Sequence, residues 1–242
     1  GRFRGSACLA VELDAQEPPQ LADAAEFADL RLVGGLLPAD EAGLLAYARA
    51  LVYWRRRHRH CGTCGAPMAA THAGHVMHCT NAACGQDSFP RIDPAIIVLV
   101  ADAGGQHALL GRQSAWPPGR YATIAGFVEP GESLEDAVVR EVAEETGVAV
   151  AAVEYHSSQP WPFPASLMVG FQATAAEDAR ITLHDRELED ARWFTRAQIA
   201  GGEVALPSPT SISYQLIADW YDRAGRRLAD EPGVQSWPPL RR

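Results

Sequence analysis

The 242-residue sequence has no apolar run near the roughly 18 residues that a membrane-spanning helix needs. It does not open on the charged, apolar and small-residue succession of a secretory leader, and its last residues, WPPLRR, are not a peroxisomal address. No membrane role is expected, and a cytoplasmic location is. Basic charge is scarce: 21 Lys plus Arg against 30 Asp plus Glu leave −9. That balance argues against generic nucleic-acid binding, though a local basic site stays open. There is no internal repeat. Cysteines number five, four of them in close pairs, which suits a metal site in a reducing compartment better than a disulfide framework. The first residue is Gly rather than Met, so a trimmed start is expected.

What is present suffices for a real core, with 47% apolar residues and length for one or two domains. Residues 1–36 offer short apolar runs, Ala7–Val11 and Leu30–Leu37, that read as weak strands. From Pro38 the pattern turns helical, with Asp40 or a neighbour as cap and an apolar stripe of Leu44, Leu45, Ala48, Leu51, Val52 and Trp54. That helix ends in Arg55, Arg56, Arg57 and Arg59. Cations suit a helix C-terminus, and a solvated helix end competes here with a phosphate or RNA contact. Beyond residue 90 strands and helices interleave: Pro94–Val100, His107–Gly111, Tyr121–Ala125, a helix over 135–146, Leu167–Ala175, Ala191–Thr195 with a brief helix, and a closing helix over 208–223. This order predicts an α/β domain. The last dozen residues read as a poorly ordered tail. The expected organisation is an N-terminal region (1–57), a Cys-rich insert (58–90), an α/β domain (91–225) and a tail (226–242).

Within the insert, Cys61-Gly-Thr-Cys64 and Cys79-Thr-Asn-Ala-Ala-Cys84 stand fourteen residues apart. Four thiolates at knuckle spacing satisfy a tetrahedral Zn²⁺ completely, so the site is expected to be structural and closed. With few apolar residues nearby, the metal would do much of the folding. His58, His60, His72, His75 and His78 are read as surface or neighbouring residues, and Cys8 as a lone thiol.

The stretch GFVEPGESLEDAVVREVAEETGV, residues 126–148, poses a problem. Glu141, Glu144 and Glu145 fall inside an arc of about 100° at the C-terminal end of a helix. Like charges four apart cost about 0.2–0.5 kcal/mol, and the macrodipole disfavours them by roughly 0.3–1 kcal/mol more. A solvated acidic face is one reading. A hard divalent cation, Mg²⁺ or Mn²⁺, held by oxygen ligands is the other. The full spacing, Gly126, Glu132, Arg140-Glu141 and Glu144-Glu145-Thr146-Gly147, resembles the signature of the Nudix hydrolases. That resemblance implies an α/β/α sandwich with a mixed sheet, preceded here by the zinc ribbon and a short, reduced or trimmed N-terminal region. It also implies hydrolysis of a diphosphate linked to another group. Glu141, Glu144 and Glu145 would ligate the metal, one of them activating water, while Glu132 and Arg140 would pair to hold the loop.

Downstream, Ser158-Gln159-Pro160-Trp161-Pro162-Phe163-Pro164-Ala165-Ser166 resembles the SQPWPFPxS array of the NADH pyrophosphatase branch of that family. The ribbon ahead of the catalytic domain is similar to the same branch. The resemblance implies cleavage of NADH or NAD⁺ to the nicotinamide mononucleotide and AMP, and removal of NAD caps from RNA 5′ ends. It further implies a homodimer, with Phe127 and Phe89 as aromatic walls for a base and Gln159, Trp161 and Ser166 in the substrate loop. Glu187 matches a further acidic metal or catalytic position, against which stands plain solvation beside Glu189 and Asp190. The second cysteine pair, with four intervening residues, departs from the commoner two. Two other functions compete: hydrolysis of another nucleoside diphosphate derivative, such as ADP-ribose or a dinucleoside polyphosphate, and non-hydrolytic binding of nucleotide or RNA.

Overall fold

The computed structural model describes residues 1–13, 26–183 and 187–237. They form two compact units, Gly1–Asp93 with Pro160–Ser166, and Pro94–Gln159 with Leu167–Arg242.

The first unit begins with a small hairpin, β1 (Arg2–Phe3) and β2 (Ser6–Ala7), followed by helices α1 (Leu30–Val33) and α2 (Ala39–Arg57). Two expectations fail here. Only Ala7 of the run Ala7–Val11 is in a strand, and Leu30–Leu37 is helical, with a 3₁₀ turn at Gly34–Leu36. The reason is local: the Asp29 carboxylate accepts from the Arg31 amide at 2.8 Å, capping a helical turn that a short apolar run does not itself specify. Helix α2 starts directly after Pro38, so Asp40 lies inside its first turn and is not the cap. Trp54 is the one buried residue of that helix. The ribbon supplies a three-stranded antiparallel sheet, β3 (Met68–Thr71), β4 (Val76–Cys79) and β5 (Asp87–Ser88).

The segment Pro160–Ser166 belongs to this unit. Trp161 meets Phe163 edge-on at 5.1 Å, and the guanidinium groups of Arg31 and Arg49 lie over the Phe163 ring at 4.6 and 5.0 Å. Arg49 Nε also donates to the Pro162 carbonyl at 3.0 Å.

The second unit is built on a six-stranded sheet. Its strands are β6 (Asp93–Ala101), β7 (His107–Arg112), β8 (Ile124–Phe127), β9 (Val150–Trp161), β10 (Ser166–Ala175) and β11 (Asp190–Thr195), in the order β11-β7-β6-β10-β9 with β8 also on β6. Strand period two divides PAIIVLV between two cores. Ile96, Val98 and Val100 face one side, where α3 (Leu134–Thr146) lays down Ala137, Val138 and Val142. Ile97 and Leu99 face the other, against Ile212, Leu216, Ile217 and Trp220 of α5 (Ile212–Asp222). Sheet between helices is the expected α/β/α sandwich.

Four details differ from expectation. Strand β8 begins at Ile124 rather than Tyr121, because the Tyr121 amide goes to the Ala205 carbonyl and the Thr123 amide to Ser213 Oγ. The array read as a substrate loop is strand at both ends, Ser158–Trp161 closing the twelve-residue β9 and Ser166 opening β10, and only Pro162–Ala165 between them is a turn. Helical spacing groups Ala143 with Ala137, Val138 and Val142 as the apolar face of α3, yet Ala143 is exposed. Finally, the C-terminal stretch is not a loose tail as far as it is described. Leu228 is fully buried, and β13 (Gln235–Trp237) pairs in parallel with β12 (Ala205–Pro207), the strand that follows α4 (Arg196–Ala200). Trp237 donates to the Ala205 carbonyl and packs on Trp116 at 5.3 Å. Residues 238–242 lie outside the described residues.

Candidate active site and metal centre

Helix α3 carries the site, and its ends are well specified. Ser133 Oγ accepts from the Asp136 amide, acidic Glu135 and Asp136 occupy the first turn, and Gly147 ends the helix in the left-handed region at φ 69°. The acidic C-terminal turn is not a solvated face. Glu141 is 9% exposed and Glu145 5%, while Glu144 is open to solvent. Buried carboxylates need partners or a cation. Part of the compensation is Arg140, whose Nε and Nη2 grip Glu132 at 2.7 and 2.8 Å. The same guanidinium reaches Glu141 at 2.9 Å, Glu144 at 3.0 Å and the Phe127 carbonyl at 2.9 Å. Arg140 and the Glu129 amide hold the Glu132 carboxyl down at about 2. The expected loop-bracing pair is therefore present.

Gly126 has a task that the spacing of the motif does not disclose. A Cβ there would stand 1.8–2.2 Å from the carboxylate atoms of Glu141. Only a residue without a side chain lets that carboxylate lie flat against β8. Burial pushes the Glu141 pKa up; Arg140 opposes this, and the carboxylates of Glu144 and Glu187 add to it. Glu187 therefore stands within electrostatic reach of Glu141, although it follows α3 by some forty residues. Its neighbour Arg186 lies outside the described residues.

Glu144 and Glu187 act on Glu141, but the carboxylates do not close on a single point. Among the described residues, the cysteines are the group whose ligand atoms all lie within 4.8 Å of one another. The donor set around Glu141 is all oxygen and acidic, with Arg140 as the cation paired to it, which fits a hard divalent ion.

In the first unit, Cys61 Sγ is 3.8 Å from Cys84 Sγ and Cys64 Sγ is 3.5 Å from Cys79 Sγ. Four sulfurs on a tetrahedral ion with bonds of about 2.3 Å would stand about 3.8 Å apart, so the residues fit. The backbone supports thiolates. Each sulfur receives an N–H from two residues on: Thr63 to Cys61, Ala66 to Cys64, Asn81 to Cys79 and Gln86 to Cys84. The amides of Cys64 and Thr63 bring the Cys61 thiol down to about 6, while burial pushes Cys79 up to about 12. The longer second knuckle thus repeats the donor pattern of the first, with Gly65 and Gly85 closing each turn at positive φ. The histidines are engaged elsewhere: His58 with the Trp54 carbonyl, His75 with Tyr47 and His78 with Asp87. Cys8 stands apart from the cluster.

Of the aromatic candidates, Phe89 and Phe127 are exposed, at 64% and 61%, as a stacking surface must be, and Trp161 is partly so. Gln159 is committed. Its Nε2 donates to the Thr210 carbonyl and its Oε1 accepts from the Ile212 amide, both at 2.8 Å, so it fastens β9 to the start of α5. Ser166 is half-buried at the start of β10.

A sandwich of this topology with a glycine-seated glutamate helix defines a Nudix domain, and the comparisons agree. The NUDIX domain family matches residues 91–216, over half the chain, and the chain belongs to the Nudix family. The branch follows from the flanks. The NADH pyrophosphatase zinc ribbon domain matches residues 56–89, and the NADH pyrophosphatase-like rudimentary NUDIX domain residues 1–54. The NAD-capped RNA hydrolase NudC of Pseudomonas aeruginosa is 43% identical over 232 residues, which cover 96% of this chain and 78% of that protein. The NAD-capped RNA hydrolase NUDT12 of Homo sapiens is 42% identical over 197 residues, 76% of this chain but 42% of that protein's length. The chain thus spans less than half of the primate relative. A NUDIX hydrolase from Nitrosomonas europaea has the same fold, at a TM-score of 0.52 and 17% identity over 74% of this chain and 97% of that one.

Proposed function

We propose that the chain hydrolyses the diphosphate of NAD⁺ or NADH, and of NAD-capped RNA, in the presence of Mg²⁺ or Mn²⁺. The observation that carries this reading is the pair of buried carboxylates, Glu141 and Glu145, at the end of α3 with Glu187 acting on Glu141 across the fold. The one guanidinium of Arg140 is shared among Glu132, Glu141 and Glu144, and a diphosphate substrate arrives with its own negative charge, which a divalent cation would offset. Glu141, Glu144, Glu145 and Glu187 would hold the ion, which supplies charge neutralisation and an acidified water when bound. One of these carboxylates takes the proton of the attacking water. The water oxygen bonds to one phosphorus, the bridging P–O bond breaks, and the nicotinamide mononucleotide leaves together with AMP from the free dinucleotide or with 5′-monophosphate RNA from the capped one.

Phe127, Phe89 and Trp161 offer ring faces to the bases, Ser166 a hydroxyl, and Gln159 acts by holding the α5 entry in place. Zn²⁺ on Cys61, Cys64, Cys79 and Cys84 fixes the ribbon and with it Phe89. The working organisation is an N-terminal region to residue 57, a ribbon over 58–90 and a hydrolase domain from 91, in a cytoplasmic homodimer. The identity to NAD-capped RNA hydrolases over most of the chain supports the choice of dinucleotide over other diphosphates.

Product analysis tests it. The protein is incubated with NADH, NAD⁺ and ADP-ribose in Mg²⁺ and in Mn²⁺, beside Glu145→Gln, and products are identified by mass. AMP with the matching mononucleotide, lost in the variant, is expected. Faster turnover of ADP-ribose than of either dinucleotide would overturn the substrate, and no turnover of any would overturn the activity.

A further inference from the structure

The basic residues of this chain are unusual in kind and placement. All 21 are arginine, and four of them, Arg55, Arg56, Arg57 and Arg59, fall within five positions of a protein with net charge −9. A helix C-terminus gains from one or two cations in its last turn, so its dipole does not account for four. Arg55 has a structural task, its side chain lying against the tight turn at Gly74. The other three are exposed. Arg56 Nε and Arg59 Nη2 converge on the two oxygens of one carboxylate, Glu12, at 3.4 and 3.9 Å. Arg57 makes no ion pair with any described residue and instead lies over the Tyr53 ring at 5.7 Å.

Two planar guanidinium groups sharing one carboxylate are spaced to share one phosphate, which arginine grips more specifically than lysine does. The Glu12 contact is long and open, so a phosphodiester can displace it. A guanidinium stacked on an aromatic ring is a common partner for an unpaired base. We infer that the Arg56–Arg57–Arg59 end of α2 is a docking surface for the phosphodiester backbone of single-stranded RNA. This rests on the reading above that NAD-capped RNA is a substrate. It adds that residues other than those taking the dinucleotide hold the RNA body, so the two substrates depend on salt differently.

The test uses the full chain loaded with zinc, the triple variant Arg56→Ala, Arg57→Ala, Arg59→Ala, and the matching triple Lys variant as a charge-retaining control. Zinc content and melting temperature establish that each variant is folded. Turnover of free NAD⁺ and of a 5′-NAD-capped single-stranded RNA is measured from roughly 50 to 200 mM salt. The Ala triple should leave kcat/KM for NAD⁺ within twofold and lower it for NAD-RNA by about 10–100-fold at low salt. Its log–log salt slope should fall by about 0.7, since one neutralised phosphate on a single strand contributes about that much and Arg56 and Arg59 share one. The Lys triple should recover most of the loss.

Equal turnover of NAD-RNA by the wild type and the Ala triple overturns the inference and leaves the hydrolase reading standing. If the wild type cleaves neither substrate, the hydrolase reading fails alone. The surface is then judged by the affinity of uncapped single-stranded RNA, and an affinity unchanged in the Ala triple overturns it too. Binding of the wild type to phosphatidylserine vesicles, with none to RNA, would assign the patch to a membrane and overturn it likewise.

Discussion

A methyl group added at Gly126 would stand 1.8 Å from Cδ of Glu141 and 2.0 and 2.2 Å from its oxygens. Ordinary contact is near 3.4 Å or beyond. In Gly126→Ala the carboxylate must therefore withdraw by more than about 1 Å, the scale at which misplacing a reacting group costs on the order of 100-fold. The backbone itself accepts alanine, because Gly126 lies in β8 and outside the left-handed region. A Gly→Ala change at a compatible position gains about 0.4–1 kcal/mol through the unfolded chain. Against that stands the loosened pairing between Glu141 and Arg140, whose guanidinium is already shared with Glu132 and Glu144. The net should be within about 1 kcal/mol, or roughly 2–4 °C in melting temperature for a chain of this size. The assay is kcat/KM for NAD⁺ in Mn²⁺ beside a thermal melt, and the expected result is about 100-fold lower turnover from a protein that melts almost normally. Turnover within threefold of wild type would show that Glu141 need not occupy its seat. A melting point lowered by about 10 °C or more would show that the glycine serves the fold instead.

Three further outcomes are expected. Glu132 is held at about 2 against an ordinary 4.5, so its pair with Arg140 stabilises the fold above pH 4.5 and is lost as pH falls through 2. Acid unfolding of Glu132→Gln should lack that pH dependence, and a profile matching wild type would refute the pairing. Chelation should remove one zinc per chain, measured by elemental analysis, and abolish hydrogen-exchange protection across β3–β5 while the strands around Ile96 and Leu99 stay protected. Structural zinc in small domains contributes about 10–16 kcal/mol of binding free energy at neutral pH, so persistence of ribbon protection without metal would contradict the assignment. Trp237→Ala should lower stability by about 1–3 kcal/mol by removing the indole hydrogen bond and the packing on Trp116, read by urea unfolding; no change would return the C-terminus to a loose tail.

The parts of this molecule legible in the sequence are those where chemistry is written in local spacing. The cysteine knuckles, the Gly126–Val148 stretch and the continuous apolar run PAIIVLV each specify their structure within a few residues, and each stands where expected. What escaped was decided by partners distant in sequence. Ser158–Ser166 reads as a loop from its prolines and aromatics, yet pairing within the sheet draws its first four residues into the end of β9 and its last into β10. Trp237 reads as tail until Ala205 and Trp116 are brought beside it. The glutamates show the same division within one motif. Helical periodicity places Glu141, Glu144 and Glu145 on one side, but it treats them alike. Two of them are buried and one exposed, and for Glu141 the burial depends on strand β8, which arrives from outside the helix and offers at Gly126 a gap the size of a side chain. The glycine and the glutamate are thus one device, and neither residue alone carries the signal. The charge placed in that gap meets the Arg140 guanidinium rather than bulk solvent.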